Sequence, residues 1–504
     1  MPTTFLPSPG PDARHAPPQA EGAPYLEAVQ RYADRVPGRF HVPAHKGGAG
    51  ASVALVEALG RGLRLDVPSC IDGIDIGRDA SPLERAKQLA AATWGARRTW
   101  FLVNGASEAS HALCLALGQA GGEVVVQRNA HSSTIHGLVL GGLRPVFVQP
   151  GLDERLGVAH CVSPRQLADT LDRTPDAVAA FIVSPTYFGA AADVRGLADV
   201  CRERGVALVV DEAWGAHFRF HHRLPQDALA AGAHVVISGT HKLIGSLTQS
   251  AMLHLGAGDP GALGEDAISR ALRLVRSTSP SSLLLGSLDA ARAHVDAWGT
   301  ELLDVALAEM DVVKHEIRQT CGLRVLGDEL VGRHGVAGFD ALRLAIDVSA
   351  TGLDGHLLAA DLLRTADINL ELVTDRVLIA HIGIGEPALA SGRRLVRALT
   401  AVLGHAVAAP GPPASPPAAC FGEYAMSPRD AFFAEHDVLA IGDAAGRICA
   451  DSIAAYPPGI ANVLPGERLT EPLIAYLLEM RLRGFPLRGT WDERTGSVRV
   501  VRTS

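Results

Sequence analysis

Lysine is nearly missing from this 504-residue chain: Lys46, Lys87, Lys242 and Lys314 are the only four, although lysine and arginine together number 46. Any chemistry that needs a primary amine is thereby narrowed to four side chains. Cysteine is sparse as well. Cys70, Cys114, Cys161, Cys201, Cys321, Cys420 and Cys449 are scattered without a CxxC pair or a metal-ligand spacing, which excludes a disulfide scaffold and a cysteine metal site. They read as reduced and mostly buried, as in a cytoplasmic protein. Positive charge is not in excess: the net charge is -8 and the pI about 6.2, so neither a nucleic-acid partner nor a membrane surface is expected. No apolar run approaches ~18 residues, which excludes a membrane-spanning helix. Repeats of roughly 20 to 50 residues are also missing. Residues 1–24 are rich in Pro and Ala with no apolar core, so they read as a disordered tail rather than a signal peptide.

What is present is a long alternation of strand-like and helix-like runs. A chain of this length exceeds one ordinary core and divides into two or three domains. Residues 25–65 read as an N-terminal arm of helix and loop. Residues 66–294 read as a large, mostly parallel sheet with helices on both faces. Helical spacing from Val295 to Glu316 opens a smaller α/β domain over residues 295–407, with strand signals at Leu342–Ile346 and Val377–Ile382. Residues 408–419, dense in Pro, form a linker, and residues 420–504 form an α+β C-terminal domain. There, Ser427-Pro428 has the pattern of a capped helix start.

Lys242 is the lysine with chemical context. It follows the apolar run His234-Val235-Val236-Ile237 on the turn Ser238-Gly239-Thr240-His241-Lys242, which supplies an amine for an aldehyde and donors for a phosphate, the needs of pyridoxal phosphate (PLP). Lys87 and Lys314 lie in helical patterns and Lys46 in a Gly-rich loop. Alone, a lysine near a turn is most often a solvated charge. Asp211 changes the balance: it ends the strand-like run Val206-Ala207-Leu208-Val209-Val210, where open α/β sheets bind ligands. A carboxylate there suits a protonated pyridine nitrogen, although Asp-Glu pairs at strand ends also serve metals and nucleotides. Asn104-Gly105-Ala106-Ser107 stands between a strand and a helix, so backbone N–H groups and a hydroxyl meet at an anion-binding helix start. No Gly-Lys-Ser/Thr follows it, which excludes a nucleotide P-loop. His131, in Arg128-Asn129-Ala130-His131, ends another strand-like run; read in isolation it is an ordinary loop residue, and in this company it is placed to stack on the cofactor ring.

With these tags in order, the chain resembles the Orn/Lys/Arg decarboxylases, PLP enzymes of fold type I. The likeness runs from about Tyr25 to Gly489. It also includes His41-Val42-Pro43-Ala44-His45-Lys46, Ser184-Pro185-Thr186-Tyr187-Phe188-Gly189, Arg276-Ser277-Thr278-Ser279-Pro280, Tyr456-Pro457-Pro458-Gly459-Ile460 and Leu464-Pro465-Gly466-Glu467. The resemblance implies Lys242 as the Schiff-base lysine, Asp211 as partner of the ring nitrogen and His131 as the stacking imidazole. It implies that Ala213 and Trp214 wall the pocket, and that Gly105, Ala106, Ser107, Thr240 and His241 surround the phosphate. Thr278 is implied to reach the phosphate of a neighbouring subunit, hence a homodimer or a small multiple of dimers. Glu371 is implied near the distal, cationic end of the substrate, and no metal is implied. Four positions depart from the family pattern: Gly239 where Ser is usual, Leu243 where Thr is frequent, Ser132 where Lys is frequent, and Glu108 beside the phosphate turn. Glu108 suits the helix dipole if it points along the first turn and repels the phosphate if it faces it. Some members of the family carry a long N-terminal receiver-like domain; with the signatures beginning within the first fifty residues, none is expected here.

The implied activity is decarboxylation of arginine, lysine or ornithine to agmatine, cadaverine or putrescine, a step of polyamine biosynthesis, with Lys242 or His241 returning a proton to Cα. One fold hosts many chemistries, so an aminotransferase, a carbon–carbon lyase of another kind and a non-catalytic PLP-fold regulator remain as alternatives.

Overall fold

The computed structural model describes residues 22–35, 38–76, 81–118, 122–258, 261–405, 422–455, 461–482, 487–490, 492 and 496–502. The expected tail as far as residue 21, the linker at 408–419 and the tag at 456–460 lie outside them.

Seven strands form the main sheet. Their order is Arg98–Leu102, Ala251–Leu255, Val235–Ser238, Ala207–Asp211, Ala177–Val183, Glu123–Gln127 and Arg144–Val148. Ala251–Leu255 runs antiparallel to both neighbours, and every other pairing is parallel. The central strands are apolar throughout because both faces are covered. Their two-residue period splits them into two cores. Ala180, Leu208 and Val210 pack with Leu167, Leu197 and Cys201 on one face; Phe181, Val209 and Val235 pack with Leu113, Leu117 and Leu138 on the other. Parallel pairing brings the C-terminal ends of four strands, at Gln127, Val183, Asp211 and Ser238, to one edge. The loops that follow carry the tags around His131, Pro185, Trp214 and Lys242.

The helix expected from Val295 is longer, spanning Ser282–Thr320, 39 residues. The domain boundary expected between 294 and 295 therefore falls inside one helix. Charge on its buried face hides the first turns from a hydrophobicity reading. Asp289 is fully buried, accepts the N–H groups of Tyr25 and Leu26, and pairs with the equally buried Arg292 at 3.0 Å.

Beyond this helix lies a four-stranded antiparallel sheet ordered Arg324–Val325, Leu344–Asp347, Val377–Ala380, Leu372–Val373. The helices Gly355–Ala366 and Ala388–His405 share its core. In the last segment Ser427 caps Pro428–Phe433 through the Asp430 N–H, and His436–Ala440 pairs antiparallel with Ser497–Val501. Among the described residues no helix is long and apolar enough to cross a membrane.

Candidate active site

Strand Val235–Ser238 ends in a single helical turn, Thr240–Leu243, that carries Lys242. Its Nζ lies 4.2 Å from the centre of the Trp214 ring and 6.0 Å from that of Tyr187, and it makes no hydrogen bond among the described residues. Burial pulls its pKa from 10.5 down to about 8; Asp211 and Glu371 oppose the shift and Arg343 adds to it. The other lysines are engaged elsewhere. Lys46 donates to the His41 carbonyl, Lys87 pairs with Glu84 at 3.6 Å, and Lys314 donates to the Ala341 carbonyl at 2.5 Å.

Asp211 closes its strand, with Oδ1 accepting the Ala213 N–H at 3.1 Å. Its charge acts on both Lys242 and His131, which puts the three side chains in one electrostatic neighbourhood. His131 is the N-cap of helix Ser132–Gly141: Nδ1 accepts the Ser133 N–H at 3.2 Å and lies 2.8 Å from the Ser133 hydroxyl. The proton of the neutral ring is therefore on Nε2. Burial holds this imidazole below its ordinary range; Asp211 opposes, and Lys242 and His136 add to the shift.

The turn before helix Gly105–Gly118 is tied to the lysine loop. Gly105, at φ +70°, donates its N–H to the Gln249 carbonyl, and Gln249 Nε2 donates to Asn104 Oδ1 at 3.0 Å. The first-turn N–H groups of Ala106 and Ser107 have no intrahelical acceptor, as an anion site requires. Glu108 takes the first of its two possible orientations. It is fully buried, with Oε2 accepting the Val103 and Asn104 N–H groups and Oε1 accepting Arg276 Nε at 2.9 Å, so its charge is spent on the turn behind the anion site.

Thr240 and His241 are less open than expected. The Thr240 hydroxyl is buried, donates to the Ser250 carbonyl at 3.2 Å and accepts from Ser246 at 2.9 Å. Donation from it to a phosphate requires loss of the Ser250 bond. His241 Nδ1 donates to the same carbonyl at 2.7 Å, and burial lowers its pKa. Gly239 has a steric cause: a Cβ there would stand 2.5 Å from the Ala213 carbonyl oxygen, so a serine does not fit without a backbone shift. Glu371 is exposed and acts electrostatically on Lys242, Arg343 and His381. Thr278 is exposed and stands on its own loop, its carbonyl accepting from Ser69.

Two residues enter that sequence reasoning missed. Arg343 lies 4.4 Å from the centre of the Trp214 ring, and the His381 ring meets the same indole edge-on at 5.8 Å. Both had a signal, a titratable side chain within or beside an apolar strand-like run, but nothing in the sequence linked it to Lys242.

Residues 23–339 match the Orn/Lys/Arg decarboxylase major domain and residues 418–487 the C-terminal domain of the same family. The arginine decarboxylase of Halalkalibacterium halodurans is 33% identical over 486 residues, covering 96% of this chain and 98% of that one. That of Bacillus subtilis is 32% identical over 488 residues, covering 95% and 98%. Lysine decarboxylase LdcA of Pseudomonas aeruginosa is 25% identical over 306 residues, 54% of this chain and 40% of that one. Among solved structures, lysine decarboxylase A from Pseudomonas aeruginosa superposes with a TM-score of 0.78 at 20% identity, covering 95% of this chain and 80% of that chain. Francisella novicida LdcF gives 0.79 at 18% identity, with coverage of 95% and 81%. The α/β fold expected from the sequence, fold type I, is thus the one observed. A family match over most of the chain, joined to full-length relatives above 30% identity, leads to one conclusion: this chain is a decarboxylase that belongs to the Orn/Lys/Arg decarboxylase family.

Proposed function

We propose that the enzyme uses PLP and decarboxylates arginine, giving agmatine and carbon dioxide. The observation that carries this reading is the Lys242 amine: half-buried, free of hydrogen bonds among the described residues, and close to Asp211, His131 and Trp214 at the C-terminal edge of a parallel sheet. The residues fit the cofactor. An amine, a carboxylate, a neutral imidazole and a helix start with free N–H groups are the partners its aldehyde, ring nitrogen, ring face and phosphate need. When bound, PLP supplies a sink for the electron pair left by the departing carboxylate.

The chain's own residues do the rest. Asp211 favours positive charge beside it. His131, its Nδ1 fixed by Ser133, presents a neutral ring. Lys242, with its pKa lowered to about 8, serves as an amine nucleophile and returns a proton to Cα; the His241 ring is the alternative donor for that step. Trp214 and Ala213 close the pocket to water, which strengthens each charge inside it.

Arginine is preferred because the relatives that are more than 30% identical and align over 95% or more of this chain, those of Halalkalibacterium halodurans and Bacillus subtilis, are named arginine decarboxylase. Glu371 offers the planar carboxylate that suits a guanidinium. The reading includes a cytoplasmic homodimer in which the exposed Thr278 serves the neighbouring site. The experiment is incubation with PLP and arginine, lysine or ornithine, with trapped carbon dioxide and chromatographed amine as the readout. Agmatine is expected as the main product. A keto acid or an aldehyde in its place defeats the decarboxylase reading; cadaverine or putrescine in excess of agmatine defeats the choice of arginine.

A further inference from the structure

Arg343 carries hydrogen-bond donors that the rest of the described protein leaves unfilled. It is 2% exposed, and a guanidinium does not shed its proton. Its Nη1 and Nη2 are buried and make no hydrogen bond. Its one ion pair among the described residues, with Asp340 Oδ2, is 3.8 Å long, beyond hydrogen-bond range. Asp340 gives its Oδ1 to His217 Nε2 at 3.1 Å and to the Leu342 N–H at 3.0 Å, while its Oδ2, the oxygen nearer Arg343, is buried and makes no hydrogen bond among the described residues. Buried donors of this kind are normally satisfied, and a buried cation all the more so.

The surroundings fix where the donors are. Gly189, at φ +96°, lets the Arg343 stem pass: a Cβ on Gly189 would come within 2.8 Å of the Arg343 Cβ. The guanidinium then lies against the Trp214 indole, the ring that Lys242 Nζ also meets. One aromatic platform thus carries both the amine and a forked, unfilled donor set. That fork matches a carboxylate, and its charge repels the distal guanidinium or ammonium of a basic amino acid.

We propose that Arg343 binds the α-carboxylate of the amino-acid substrate, with Trp214 setting its distance from Lys242. The proposal rests on the decarboxylase reading and adds a specificity residue to it. Carbon dioxide leaves neutral, so this contact is stronger in the bound substrate than in the transition state. Its loss is therefore read as weaker substrate binding, with turnover held or raised and not lowered.

The test compares wild type with Arg343→Gln and Arg343→Lys, each loaded with PLP. Titration with arginine and with agmatine, which has no carboxylate, gives the two affinities. In Arg343→Gln the KM and Kd for arginine are expected to rise about 10- to 100-fold, the range for a lost hydrogen bond to a charged group. The Ki for agmatine should change less than about twofold, kcat should hold or rise, and Arg343→Lys should recover part of the arginine affinity. Equal weakening of arginine and agmatine, or no weakening of either, overturns the proposal. If Arg343→Gln does not fold, the same comparison in Arg343→Lys decides. A wild type that binds arginine without releasing carbon dioxide sinks the decarboxylase reading, while the two binding titrations still judge Arg343.

Discussion

Arg128 and Glu467, 339 positions apart, form a two-pronged ion pair shut off from solvent. Nε meets Oε1 at 3.2 Å and Nη2 meets Oε2 at 3.0 Å, with side chains 2% and 3% exposed. The same guanidinium donates to the Ala461 and Asn462 carbonyls. The C-terminal segment is thereby pinned to the loop that presents His131.

Removal of one partner leaves a buried charge alone. Glu467→Ala is expected to cost about 3–5 kcal/mol, read as a fall in the urea midpoint, and to weaken PLP binding because the His131 loop loses its anchor. An unchanged midpoint would show that the pair holds nothing together.

Lys242 links chemistry to stability. Its lowered pKa means that the folded state holds fewer protons than the unfolded state between about pH 8 and 10.5. The cost of burying the ammonium is present in full below pH 8 and is relieved as pH rises through that window. Lys242→Met should therefore melt higher than wild type as PLP-free protein at pH 7, with the gap closing above pH 10. Turnover and the visible absorbance of the cofactor should be lost in that variant. In wild type, labelling of Lys242 by an aldehyde and borohydride should rise with a midpoint near pH 8; a midpoint near 10.5 contradicts the burial.

Asp211→Ala is expected to lower kcat/KM by about 10²- to 10³-fold, the usual loss when a preorganised electrostatic group is removed (about 3–4 kcal/mol). Steady-state kinetics under saturating PLP measures it, and a near-normal rate would show that the carboxylate does not serve the ring.

Gly239→Ser restores the residue usual in the family yet is expected to harm this protein. The new Cβ meets the Ala213 carbonyl, and strain of that kind costs about 1–3 kcal/mol. Thermal melting should drop and PLP affinity should not improve. A tighter, more stable Gly239→Ser protein would mean that the backbone yields freely there.

The sequence made the cofactor side of the pocket legible and the substrate side not. Asp211, His131 and Lys242 each end a long apolar run, so a parallel sheet brings them to one edge once the runs are read as strands. Arg343 and His381 border strands of the second sheet, and no motif in either run ties it to Lys242. Their place against Trp214 follows from how the second sheet packs, a tertiary fact. Glu108 was ambiguous for the same reason: its resolution needed Arg276, 168 positions away. The committed hydroxyl of Thr240 was hidden because Ser246 and Ser250 carry no motif of their own.

The 39-residue helix gives the pocket a fixed gauge. Near its start Ser282 bonds Leu65 and Val67, at its middle Gly299 closes on Phe220, and towards its end Lys314 grips the carbonyl of Ala341, two positions before Arg343. A rod of roughly 58 Å spans from the sheet that holds the amine to the turn that holds the guanidinium. A bend in that rod would therefore shift Arg343 relative to Lys242 with every side chain around Trp214 intact.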